Sequence, residues 1–96
     1  MASREEMIKT LWKTYPKLFV SITEKFDRND KGGIWIMAEG GEKDSEGLEL
    51  FDYYAEDPQE NFYIFGVRKH LHYWAEEKGW GFEWYDAGTI MLYQNQ

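Results

Sequence analysis

Cysteine is absent from this 96-residue chain, which excludes disulfides, thiolate catalysis, cysteine-ligated zinc and iron–sulfur clusters. Long apolar runs are absent as well. Ile34-Trp35-Ile36-Met37-Ala38, the longest, falls far short of the roughly 20 residues that a membrane-spanning helix needs. The opening MASREEMIKT carries charges where a secretion signal needs its apolar stretch. A soluble, cytoplasmic protein of one domain, residues 1–96, is the expectation. Positive charge is scarce, with 11 Lys and Arg against 18 Asp and Glu for a net charge of −7. Binders of nucleic acid and of anionic membranes work through Lys and Arg, so neither partner is expected.

Residues that carry chemistry are few. His70 and His72 are the only histidines. Two apart on a helix, they point about 200° from one another and cannot clasp one metal ion. The serines, Ser3, Ser21 and Ser45, stand outside any nucleophile-elbow motif. The pairs Gly32-Gly33 and Gly40-Gly41 lack the spacing of a phosphate cradle. In DRNDKGG, Asp27, Asn29 and Gly32 match positions of a calcium loop, but Lys31 takes a ligand position and Ala38 replaces the closing Glu. That stretch reads as a turn. No catalytic residue, metal or cofactor is expected.

What the chain has in quantity is aromatic surface, 19% of its residues. Ser3 and Glu6 form a capping box. Ile8, Leu11, Trp12, Tyr15, Leu18, Phe19, Ile22 and Phe26 follow at spacings of three and four, predicting a helix over 4–26, kinked or divided at Pro16. GIWIMAEGG alternates as a strand. LELFDYYAE, residues 48–56, predicts a strand returning antiparallel to it, with a short helix as the alternative. Asp57-Pro58-Gln59-Glu60 starts a second helix carrying Ile64, Val67, Leu71 and Trp74 and ending at Lys78-Gly79. Gly66 lies inside it, which leaves a start near Gly66 as the alternative. Trp80, Phe82 and Trp84, and then Ile90 and Leu92, alternate around Asp86-Ala87-Gly88-Thr89 as a hairpin, with a positive φ assigned to Gly88.

The order is therefore α-β-β-α-β-β, an α+β two-layer sandwich whose four-stranded antiparallel sheet carries both helices on one face. Alternation then sends some aromatics to the uncovered face. Trp35, Met37, Phe51, Tyr53, Trp84 and Tyr85 are the candidates, with the exposed side of the last hairpin left open. A contiguous apolar patch marks an interface, and the sheet has almost no Lys or Arg to support base stacking. The function expected is noncatalytic protein interaction, most simply with a second copy as a homodimer. Asp44, Glu46, Glu49, Asp52, Glu56 and Asp57 form an acidic run. Charges along a sheet edge discourage aggregation, which is its preferred reading; the alternative is a mimic of a nucleic-acid backbone that inhibits a nucleic-acid-binding enzyme. A metal-dependent enzyme using Asp52, Asp86 and a histidine ranks last.

Overall fold

A computed structural model describes residues 1–39, 42–55 and 62–95. Helix α1 spans Arg4–Thr14. Its capping box is reciprocal: the Ser3 hydroxyl accepts from the Glu6 N–H, and the Glu6 carboxylate accepts from the Ser3 N–H, each at 3.2 Å. The helix stops before Pro16, where the Tyr15 N–H closes on the Leu11 carbonyl. It does not resume. Val20–Ile22 is strand β1 and Thr23–Phe26 a single helical turn, α2. The helical spacing of Leu18, Ile22 and Phe26 is coincidental, and the β-branched pair Val20 and Ile22 favours the extended chain.

Strand β1 pairs with β2, Ile34–Met37. The last hairpin forms as the alternation predicts, from β5, Trp80–Asp86, and β6, Thr89–Gln94. Together they make a four-stranded antiparallel sheet in the order β1-β2-β6-β5, so the α+β architecture is confirmed. Gly88 lacks the positive φ assigned to it. It supplies room instead, since a Cβ there would sit 3.1 Å from the Glu39 carboxyl carbon. The Asp86 carboxylate shapes the turn by accepting the Gly88 N–H at 2.9 Å.

Register decides what each face carries. Val20, Ile36, Ile90 and Trp84 stand in one row across the sheet, and Ile22, Ile34, Leu92 and Phe82 in the next. This face meets Met7 and Leu11 of α1 and Leu71 and Ala75 of α3, Lys69–Glu77. Ile34, Ile36, Trp80, Ile90 and Leu92 have no exposed surface at all.

Residues 48–55 depart from the expected strand. They do not pair with β2, whose neighbours are β1 and β6. Leu50 and Phe51 are consecutive and both buried, which a strand with one covered face cannot achieve. The segment instead leans on a two-stranded ribbon, β3, Tyr63–Ile64, and β4, Val67–Arg68. Arg68 donates its N–H to the Leu50 carbonyl, Asp52 donates to the Gly66 carbonyl, and Phe51 bridges Val67. Ile64 and Val67 therefore face each other across a turn rather than along a helix. Helix α3 begins only at Lys69, close to the Gly66 alternative, and the Asp57–Glu60 cap lies outside the described residues. Glycine is required in this turn. Gly66 has φ of +77°, and a Cβ on it would meet the Asp52 carbonyl oxygen at 2.6 Å.

Candidate functional site

The face of the sheet turned away from α1 and α3 carries Ser21, Trp35, Met91 and Glu83 in one row and Met37 in the next. Aromatic rings extend along it. Phe19, just before β1, meets the Trp35 ring edge-on at a centroid distance of 4.7 Å. Phe26 reaches over from α2 and touches Trp35 at 5.1 Å and Tyr85 at 4.9 Å. Tyr85 alternates with Trp84 along β5 and so falls on this side with Glu83. Met91 lies among these rings and is 2% exposed, whereas Phe19 and Met37 are about half exposed and Tyr85 is 64% exposed. The row is therefore partly self-covered and partly open.

Trp35 adds a polar feature. Its Nε1 is buried and has no hydrogen-bond partner among the described residues. An unpaired buried donor costs about 1–3 kcal/mol. At the far end of the same face the Tyr93 hydroxyl donates to Asp30 at 2.6 Å. Burial, then the bond to Asp30, pushes that phenol well above its usual range.

The sequence candidates divide between two places. Trp35, Met37 and Tyr85 come together on the open face. Phe51 and Trp84 turn to the opposite side, with Phe51 buried against Phe82 at 5.7 Å and Trp84 at 6.3 Å. Tyr53 stands beside Trp84 at 5.1 Å, half exposed, with Tyr54 next to it. The exposed side of the last hairpin is thus the Tyr85 side, and Phe51 belongs to the core. Phe19 and Phe26, absent from the candidate set, complete the row. Their signal was the β-branched run between them, which marks a strand flanked by aromatics.

The acidic run is not one surface. The Asp44 side chain is 3% exposed and the Arg68 side chain 4%. Arg68 donates from Nε to Asp44, from a terminal nitrogen to Glu46 at 3.0 Å, and to the Phe62 carbonyl. His70 Nε2 lies 3.0 Å from the same Asp44 carboxylate. Burial alone would raise the Asp44 pKa. Bonds from Arg68, His70 and the N–H groups of Leu48 and Glu46 prevail and hold it at about 2. Asp44 is therefore the buried partner of Arg68, and Glu46 adds a second contact from a side chain that is mostly exposed. Asp52 accepts the Tyr54 N–H within its own turn, and the Glu49 carbonyl accepts the Tyr63 hydroxyl. Glu56 and Asp57 lie outside the described residues. No group of three or more His, Asp or Glu is placed to hold a metal ion among the described residues.

The DRNDKGG segment is the turn expected of it, with the Asp27 carboxylate accepting the Asn29 N–H. No helix among the described residues is long and apolar enough to cross a membrane. No protein-family model matches the chain, and no curated protein or solved structure matches it.

Proposed function

We propose that this protein is a noncatalytic interaction module that docks a protein partner, most simply a second copy of itself, on the open face of its sheet. The observation that carries this reading is the continuous row Phe19, Trp35, Phe26 and Tyr85, with Met37 beside it, on the face the two longer helices leave uncovered. Aromatic residues and Met are enriched at interface centres, where charged residues are depleted. Glu83 and Asp86 stand exposed beside Tyr85 and form a polar border. A face applied to its own copy by a twofold axis buries the same side chains twice, so one half-exposed patch suffices for both partners.

The test is the solution mass by light scattering behind a sizing column, for the wild type and for Tyr85→Ser and Met37→Ser. A wild-type dimer that the substitutions dissociate, with circular dichroism and melting temperature retained, supports the reading. A wild type that stays monomeric rejects the second copy as the partner. Variants that lose their fold place the row in the core and reject the open-face reading.

A further inference from the structure

We propose that the cleft between α1 and α3 binds a small neutral aromatic molecule, one ring carrying a hydroxyl, at the Tyr15 hydroxyl. Leu11, Thr14 and Tyr15 on the α1 side and Leu71 and Trp74 on α3 line a largely apolar space of about 190 Å³, open to solvent. Leu11 and Leu71 belong to the buried core, so the cleft reaches inward to it. Tyr15 is what the fold leaves unanswered. The residue is 8% exposed, yet its hydroxyl makes no hydrogen bond among the described residues. The charged cluster close to it supplies none, because the Asp44 carboxylate takes Arg68, His70 and the N–H groups of Glu46 and Leu48. Among the described residues only Trp35 Nε1 is both sealed from solvent and unpartnered. The Tyr15 oxygen therefore has access to solvent, and the cleft is the space that Tyr15 lines. Burial first, and then the Asp44 charge, raise its pKa above that of an ordinary phenol, so at neutral pH it keeps a proton to donate.

The lining selects the occupant by size, charge and polarity in turn. An apolar cavity of about 150 Å³ holds benzene, so about 190 Å³ holds one ring with a short substituent. No carboxylate, Lys or Arg is among the residues that line the cleft. Asp44 and Glu42 lie close enough to act on the Tyr15 phenol, which disfavours an anion. Asp44 is already paired with Arg68, so an entering cation finds no free carboxylate in the lining. A neutral molecule remains. The Thr14 hydroxyl already donates to the Thr10 carbonyl at 2.8 Å. His70 also lines the cleft, and its Nε2 lies 3.0 Å from the Asp44 carboxylate. That carboxylate is ionised and only accepts, so Nε2 carries the proton and neutral imidazole keeps Nδ1 as an acceptor. A ligand hydroxyl accepts from Tyr15 and offers a proton of its own, whereas a bare hydrocarbon leaves the phenol unanswered. The rings of Tyr15 and Trp74 favour a flat aromatic partner over a branched aliphatic one. The cleft lies in the helical layer, on the far side of the sheet from the aromatic row. Binding there stands or falls independently of association through the open face.

Phenol is the probe that tests this, with toluene as a control of similar shape. Titrated into isotope-labelled protein and followed by amide chemical shifts, phenol is expected to move the signals of residues 10–15 and 70–74 and to saturate. Tyr15→Phe keeps the ring and removes the hydroxyl. It should weaken phenol about tenfold, the net effect of one hydrogen bond, and leave toluene binding unchanged. Toluene thereby reports that the cleft survives in the variant, so a folding defect cannot pass for a lost contact. Thr14→Trp fills the cleft from an exposed helical position and should abolish binding of both probes. Shifts that never saturate, shifts centred instead on Trp35 and Tyr85, or a Tyr15→Phe protein that binds phenol like the wild type overturn the proposal. Equal weakening of phenol and toluene by Tyr15→Phe overturns it too. N-acetyltyrosinamide carries the same ring on a peptide backbone. If it binds more tightly than phenol, the cleft belongs to a partner's side chain, and the small-molecule reading falls.

Discussion

At the scale of single residues, two side chains stand out, one that its local backbone opposes and one that its surroundings hold on every side. Phe65 occupies a backbone conformation suited to Asn or Gly. Phe65→Asn is therefore expected to raise the free energy of unfolding by about 1 kcal/mol, from relief of left-handed strain. Denaturant unfolding measures this, and a lowered midpoint would show that the ring stabilises the fold. Arg68 is the opposite case, a charge that is buried and fully engaged. Asp44→Asn removes its main counter-charge and leaves Glu46, which is mostly exposed. The expected loss is about 3 kcal/mol, the lower end for breaking a buried pair. The same carboxylate couples stability to pH. Its pKa falls from 3.8 to about 2 on folding. A depressed pKa contributes stability above the unfolded value, and that contribution is lost as pH falls from about 3.8 toward 2. Glu24 acts in the same direction from 4.5 to about 2, held down by the Gly32 N–H first and by Arg4 among its other partners. Melting temperature should therefore drop steeply between about pH 4.5 and 2, and less steeply in Asp44→Asn.

At the scale of elements, the sequence was most legible where one local signal met no competitor. The 80–94 hairpin alternates along its first arm from Trp80 to Trp84 around a clear turn, and α1 has a reciprocal cap and Pro16 beyond its end. Elsewhere two periodicities overlapped. Leu18, Ile22 and Phe26 fit a helical stripe, yet Val20 and Ile22 also fit a strand, and pairing with Ile36 and Ile34 decided for the strand. The same overlap concealed Phe19 and Phe26 as part of the open face. Ile64 and Val67 are three apart, which suits a helix and equally suits the flanks of a two-residue turn. Gly66 was the deciding residue, and the sequence offers it as a weak spot in a helix or as the point near which a later helix starts. Its required φ and its contact with the Asp52 carbonyl were not visible without the 42–55 segment in place. Hence Gly66→Ala is expected to destabilise by more than about 1 kcal/mol, since alanine tolerates neither the φ nor the contact. Thermal unfolding tests it against Gly47→Ala, where φ is also positive but the space is open. Similar losses in the two would remove the role given to the Asp52 contact. Alternation did identify Trp35 and Met37, and the packing of Trp84 against the core settled the last hairpin in favour of Tyr85.

At the scale of the molecule, the force that holds the open-face contact decides how it responds to salt. The open-face row is apolar, and copies that each carry a net charge of −7 repel one another as they approach. Salt screens that repulsion and leaves apolar contact intact. Association through Tyr85 and Met37 is therefore expected to hold or strengthen from low to high ionic strength. Sedimentation of the wild type and of Tyr85→Ser at low and high salt checks this. Association that persists at high salt and that Tyr85→Ser removes fits the apolar row, whereas association that fades as the screening length falls to about 10 Å near 0.1 M salt would mean that charge, and not the row, holds the copies together.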